Sequence, residues 1–107
     1  MHPLTETLCA IATPPGQGGV GIVRLSGPKA FEIATLIFKG TRPLQKERAL
    51  RFGTFRDPAT NEILDEGLLL VMPGPQSYTA EDVVEFHAHG SPALVEKIVD
   101  VLVQQGA

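Results

Sequence analysis

The stretch that most limits how this chain folds is residues 10–27, AIATPPGQGGVGIVRLSG, in which prolines and glycines separate two apolar runs. Gly16, Gly18 and Gly21 satisfy the G-x-G-x-x-G pattern of dinucleotide-binding loops. That fingerprint requires a helix after the glycines, because the helix N-terminus holds the pyrophosphate. In the residues that follow, VGIVRL, the apolar side chains are mostly β-branched and predict a strand. We therefore interpret the glycines as a tight loop.

Arg24 is the charged residue of that predicted strand and lies between Val23 and Leu25. Successive side chains of a strand point to opposite faces of the sheet. Arg24 is therefore expected to point away from the core, toward solvent, a partner or an anion.

A second dense segment, residues 73–92, contains the predicted strand EDVVEFHA. Alternation places Glu85, His87 and His89 on one face and leaves the other face apolar. Two imidazoles and a carboxylate form a ligand set for iron or zinc, so a metal site is one hypothesis. The alternative is a polar strand face, because three ligands on one flat strand converge poorly on an ion.

Glu85 has a second use, since a carboxylate can accept two hydrogen bonds from a guanidine-like edge such as that of a pterin, a guanine or an arginine. A salt bridge to Arg24 or to another base explains its spacing equally well.

Composition describes one ordinary domain of 107 residues with a formal net charge of −3, which gives no footprint for nucleic-acid binding. The single cysteine, Cys9, excludes an internal disulfide and suits the reducing cytoplasm. The N-terminus predicts no signal peptide, and no apolar run is long enough to span a membrane. The sequence contains no P-loop motif.

The periodicity predicts an α+β fold, a two-layer sandwich with a mixed, mostly antiparallel sheet of about five strands and two helices on one face. The predicted strands are Thr5–Thr13, Val20–Leu25, Arg51–Arg56, Ile63–Met72 and Glu81–Ala88, and the predicted helices are Pro28–Phe38 and Pro92 to about Gln105. Ser26 or Gly27 is expected to cap the first helix and Gly40 to close it, and Ser91 is expected to cap the second. Glu66-Gly67 is expected to mark a bulge or a bend.

With both dense segments in view, the chain resembles the N-terminal domain of the tRNA-modification GTPases of the MnmE (TrmE) family. The resemblance rests on IATPPGQGGVGIVRLSG and LDEGLLLVMPGPQSYTAEDVVEFHAHGSP, and it covers residues 9–107. It implies that residues 1–107 form one N-terminal domain and that the helical and GTP-binding domains of a longer protein are absent. It also implies a fold similar to the folate-binding domains of glycine-cleavage T-proteins.

The resemblance implies a function as well. The domain is expected to bind 5-formyltetrahydrofolate or a related tetrahydrofolate and to form a homodimer. The whole protein is expected to modify the wobble uridine of tRNA at C5 together with the FAD-dependent partner MnmG (GidA). Its GTP hydrolysis, with magnesium and potassium, belongs to the absent GTP-binding domain.

Two folate contacts of the family fall on Arg24 and Glu85, and a third, a lysine, lies beyond Ala107. Our hypothesis for their individual roles is that Glu85 binds the amino-pyrimidine edge of the pterin and that Arg24 meets a carbonyl or carboxylate of the folate. Two other functions are considered: a metal-dependent enzyme domain that uses Glu85, His87 and His89, and a dimerisation module whose folate pocket is inactive.

Overall fold

The structure, a computed structural model, describes residues 6–12, 19–75 and 81–107. The glycines at 16 and 18 and the predicted turn at 77–79 lie outside these ranges. The described elements are β1 (Leu8–Ile11), β2 (Val20–Ser26), α1 (Ala30–Ile37), β3 (Phe38–Lys39), β4 (Ala49–Arg56), β5 (Ile63–Met72), β6 (Val83–His89) and α2 (Pro92–Gln104).

These strands form one six-stranded sheet in the order β1-β2-β6-β5-β4-β3, and every described pairing is antiparallel. The predicted α+β class, with a mostly antiparallel sheet and two helices, is thus confirmed, and the sheet has six strands where about five were expected. The additional strand, β3, follows α1 without a break, because Phe38 takes an extended conformation and pairs with Phe55. β6 lies between β2 and β5, near the middle of the sheet.

The hydrophobic core lies between one face of the sheet and the two helices. Val23 and Leu25 of β2 and Phe86 of β6 are fully buried there, as the alternation predicts. The Phe86 ring meets the Phe55 ring edge to face, with centroids 5.2 Å apart. The helices contribute Ala30, Ile33, Ala34, Ile37, Val95, Ile98, Val101 and Leu102. Val103 of α2 is 52% exposed, so the apolar stripe of that helix extends beyond the core.

Gly21 of the G-x-G-x-x-G pattern lies in β2, which confirms the strand predicted for the residues after Gly19. A Cβ atom at Gly21 would meet the side chain of Val95 on α2 and the carbonyl oxygen of His89. Glycine at this position therefore allows α2 to pack closely on the sheet.

The predicted bulge at Glu66-Gly67 is wrong. Gly67 pairs in register with Gly53, and the irregularity of this ladder lies between Phe55 and Arg56. A Cβ at Gly67 would meet the carbonyl oxygen of His87, so glycine here serves close strand packing. β4 also begins at Ala49 instead of Arg51, since β5 offers Val71 as a partner.

The start of α1 differs from the prediction, and a residue that precedes β1 accepts the backbone hydrogen bond at this start. The helix begins at Ala30, with Lys29 as its N-cap residue in place of Ser26 or Gly27. The Lys29 N–H donates to the Thr7 hydroxyl oxygen at 2.9 Å. Gly27 has a positive φ of 137° and turns the chain toward the helix. Gly40 does not close α1, since β3 follows directly.

α2 begins at Pro92 with Ser91 as its N-cap residue, as predicted, although Ser91 makes no side-chain capping bond. Gly106, just past the helix end, has a φ of 114°. Within the described ranges, no helix is long and apolar enough to cross a membrane.

Candidate functional site

Arg24 and Glu85 stand directly opposite each other on the neighbouring strands β2 and β6. Both side chains lie on the sheet face away from the helices, because Val23, Leu25, Val84 and Phe86 occupy the core face. Nε and Nη2 of Arg24 donate to the same carboxylate oxygen, Oε2 of Glu85, at 2.8 and 2.6 Å. The Glu85 side chain is 5% exposed, whereas Arg24 is 38% exposed. The structure therefore contains a salt bridge between the two predicted site residues.

His87 is the third member of this cluster. Its Nε2 lies 3.0 Å from Oε1 of Glu85. Desolvation by burial raises the pKa of the Glu85 carboxyl, but hydrogen bonds from His87 and Arg24, together with their charges, outweigh it and leave that pKa below its ordinary value. Glu85 is thus ionised at neutral pH, and an ionised carboxylate only accepts hydrogen bonds. Nε2 of His87 therefore carries the proton in this contact.

His89 does not join Glu85 and His87. Its Nδ1 lies 2.8 Å from Oδ1 of Asp65, and its backbone N–H donates to the same carboxylate at 2.9 Å. Its side chain is 74% exposed. In the part of the chain that the structure describes, no three His, Cys, Asp or Glu side chains are grouped closely enough to hold a metal ion. The predicted ligand set Glu85, His87 and His89 is therefore not assembled.

An apolar strip flanks the charged cluster on the same sheet face. Leu70 pairs with Glu85 and Leu68 pairs with His87, so two leucines of β5 lie beside the polar groups. On the next strand of the sheet, β4, Leu50 pairs with Leu70 and Phe52 pairs with Leu68. Phe52 is 63% exposed and Leu50 is 57% exposed. We call Leu50, Phe52, Leu68 and Leu70 the apolar strip.

A cavity of about 250 Å³ opens beside His87, where the β2, β5 and β6 strands meet. It is lined by Gly19, Val20, Glu66, Gly67, Leu68, His87, Ala88 and His89. The site thus combines a buried, ionised acceptor with an adjacent concave surface, which suits a flat ligand with N–H donors along one edge.

Sequence reasoning placed Arg24 and Glu85 on the outward faces of their strands, and the structure brings them together. His87 was expected as a metal ligand or as part of a polar strand face, and its bond to Glu85 was missed, although spacing i, i+2 in a strand already placed both on one face. Sequence reasoning also missed the contact between Asp65 and His89, which joins residues 24 positions apart.

The chain is similar to proteins of one known family. The family described as GTP-binding protein TrmE N-terminus matches residues 7–107. A tRNA modification GTPase MnmE of Thermus thermophilus is 49% identical over 105 residues, which is 97% of this chain and 24% of that protein. The corresponding protein of Halorhodospira halophila is 53% identical over 102 residues, 95% of this chain and 21% of that protein. The chain spans about a quarter of the length of these relatives.

The match covers both segments that carry the site, the β2 strand with Arg24 and the β6 strand with Glu85. The identity is close to half of all positions in relatives from different bacteria. The chain therefore belongs to the MnmE/TrmE family of tRNA modification GTPases and corresponds to its N-terminal domain.

Proposed function

We propose that this chain is the tetrahydrofolate-binding and homodimerisation domain of a cytoplasmic GTPase that modifies the wobble uridine of tRNA at C5. The observation that carries the proposal is the direct pairing of Arg24 with Glu85 on the sheet face away from the helices. A carboxylate and a guanidinium on one wall offer an acceptor for the amino-pyrimidine edge of a pterin and a donor for a carboxylate.

The surroundings of the pair support a flat aromatic ligand. Leu70 and Leu68 lie next to Glu85 and His87 across the β5–β6 ladder, so an apolar surface adjoins the polar anchor. Ligand sites of this kind combine apolar walls with a few placed polar groups. A pterin ring resting on the leucines presents its N–H edge toward Glu85.

The apolar strip supports the dimerisation part of the proposal. Phe52 and Leu50 are more than half exposed and form cross-strand pairs with Leu68 and Leu70. A contiguous exposed apolar surface of this kind marks an interaction site. We assign the Leu50 and Phe52 end of the strip to a second copy of this domain, and the Leu68 and Leu70 end to the pterin.

The activity of the whole protein is inferred from the relatives, whose name is tRNA modification GTPase MnmE. This chain has no P-loop, so GTP, magnesium and potassium are assigned to the remaining part of the protein. The FAD-dependent protein MnmG and tRNA are its proposed partners there.

The decisive experiment is a calorimetric titration of 5-formyltetrahydrofolate into this chain and into the full-length protein. Glu85→Gln is expected to weaken binding by about tenfold to a hundredfold, the range for a hydrogen bond to a charged group. Glu96→Gln is the matched control, because Glu96 is exposed on α2. An affinity for Glu85→Gln within about twofold of the parent would contradict the assignment of Glu85.

Two further measurements test the alternative functions, the dimerisation module with an inactive folate pocket and the metal-dependent enzyme. A chain and full-length protein that both dimerise but bind no folate would leave only the structural module. Metal analysis of the purified protein tests the metal-dependent enzyme, which requires stoichiometric iron or zinc that is lost in His87→Ala.

A further inference from the structure

The Glu85 carboxylate has little acceptor capacity left in this structure. Each carboxylate oxygen offers about two lone-pair positions. Oε2 accepts both the Nε and the Nη2 hydrogen bonds of Arg24, and Oε1 accepts the bond from His87. A ligand edge that donates one N–H to each oxygen therefore finds no position on Oε2 while Arg24 remains there.

Arg24 also controls access to this carboxylate. Glu85 is 5% exposed, and the side chain that bonds its Oε2 is 38% exposed. The guanidinium is a planar fork of N–H donors, and the amino-pyrimidine edge of a pterin presents the same N–C–N unit with N–H groups in one plane. Arg24 therefore makes with Glu85 the kind of bond that the ligand would make.

We propose that Arg24 is an internal substitute for the ligand, so that an amino-pyrimidine binds Glu85 by displacing the Arg24 guanidinium while His87 stays in place. The proposal rests on the proposed folate function and adds the order of contacts. The displaced guanidinium then becomes the partner of a carboxylate or carbonyl at the far end of the ligand. No covalent bond forms and no proton is transferred in this exchange.

The cross-strand partner of Arg24 on β1 is Ala10, an exposed residue with a single methyl group. The side chain directly opposite the guanidinium stem on β1 is therefore small. His87 is 24% exposed and bonds the other oxygen, so Glu85 keeps one hydrogen-bond donor throughout.

Exchange gives Arg24 opposite effects on the two ends of the ligand. For the pterin end Arg24 is a competitor, and for a carboxylate tail it is a partner. A simple contact residue would instead favour both parts, or favour the tail and leave the pterin unaffected. The two explanations differ in the sign of one measurable change.

The test titrates the full-length protein with 5-formyltetrahydrofolate and with 6-methyltetrahydropterin, which lacks the carboxylate tail. Arg24→Ala is expected to bind the tail-less pterin about threefold to tenfold more tightly than the parent, which is the factor that one ordinary hydrogen bond contributes. The folate gains this factor at its pterin end and loses a similar factor at its tail, so its affinity should change by less than about threefold. Arg56→Ala, which removes an arginine that bonds Thr54 on β4, is the matched control and should change neither affinity.

The exchange is overturned if the affinity for the pterin falls or stays the same in Arg24→Ala, or if the pterin binds neither protein. In either case, folate binding to the parent still supports the proposed function. Absence of folate binding to the parent overturns both. A second measurement avoids a variant that fails to fold. The NMR signal of the Arg24 Nε–H in the parent should lose its carboxylate hydrogen-bond signature when 6-methyltetrahydropterin, which has no carboxylate, saturates the protein, and an unchanged signal contradicts exchange.

Discussion

Arg24 and Glu85, 61 residues apart in sequence, form a two-donor salt bridge in which Nε and Nη2 share one carboxylate oxygen. The partner of the second carboxylate oxygen is His87, on the same strand as Glu85. Arg24 and His87 together compensate the charge of the buried carboxylate. Substitutions at this site are therefore expected to change the stability of the fold as well as ligand binding.

The acid sensitivity of the protein should depend on Glu85. Its pKa in the folded protein lies below the ordinary value of 4.5, so its stabilising contribution is present above that value and is lost as the pH falls through the lower, folded pKa. We expect Glu85→Gln to show a shallower loss of unfolding free energy than the parent between about pH 5 and pH 3, measured by urea denaturation. Glu96→Gln should keep the slope of the parent, and equal slopes in all three proteins would contradict the prediction.

Removal of Arg24 should destabilise the fold even without a ligand. Arg24→Met leaves the buried Glu85 with His87 and without its guanidinium, at an expected cost of about 1–3 kcal/mol. Adding Glu85→Gln to this variant should recover part of the loss, because residues in contact are not additive. Urea unfolding of both single variants, the double variant and Arg56→Met measures the coupling, and strict additivity would show that the pair makes no net interaction.

Thr7 should stabilise α1 from outside the helix. Thr7→Val keeps the shape of the side chain but removes the oxygen that accepts the Lys29 N–H, so a loss of about 1 kcal/mol is expected. Thr35→Val is the control, since its hydroxyl only donates to the Glu32 carbonyl within the helix. Thermal unfolding followed by circular dichroism compares the two, and an effect confined to Thr35→Val would refute the capping role.

The core should respond strongly to loss of a fully buried leucine. Leu69→Ala, at a position with 0% exposure, is expected to cost about 2–5 kcal/mol. Leu36→Ala on α1, where 46% of the residue is exposed, should change the unfolding free energy by less than about 0.5 kcal/mol. Denaturant titration with fluorescence or circular dichroism gives both values, and similar costs at the two sites would place the core elsewhere.

Association should depend on the apolar strip. Phe52→Ser is expected to shift the protein from dimer toward monomer, because it removes the most exposed large side chain of that surface. Leu36→Ser is the matched control on the helix side. Sedimentation velocity at several concentrations measures the shift. A parent that is monomeric at tens of micromolar, or a Phe52→Ser variant that dimerises like the parent, argues against this interface.

Local patterns were sufficient for the strands that carry the site. The bounds of β5 match the prediction, and its end follows from Pro73 and Gly74, which stop the apolar run of residues 68–72. The outward orientation of Arg24 and Glu85 follows from alternation alone, since each lies between buried apolar neighbours. Register was not accessible in this way, and it is register that places the two charges directly opposite each other.

The features that were missed depend on contacts between distant residues. Phe38 fits the apolar stripe of α1 and also a strand, and only its pairing with Phe55 decides between them. The cap of α1 comes from Thr7, 22 residues before the N–H that it accepts. His89 is turned away from the expected metal ligands by Asp65, which lies on another strand. No local sequence pattern predicts these contacts.

The place of β6 between β2 and β5 also determines when the site can exist during folding. Without β6, the chain has a β1–β2 pair at one side and the β3–β4–β5 strands at the other, and nothing joins them within the sheet. Pairing over such sequence distances is slow, because loop closure precedes the contacts that repay it. A bound ligand that contacts both Arg24 and Glu85 would therefore select molecules in which this last strand is inserted, so occupancy of the site reports completion of the sheet.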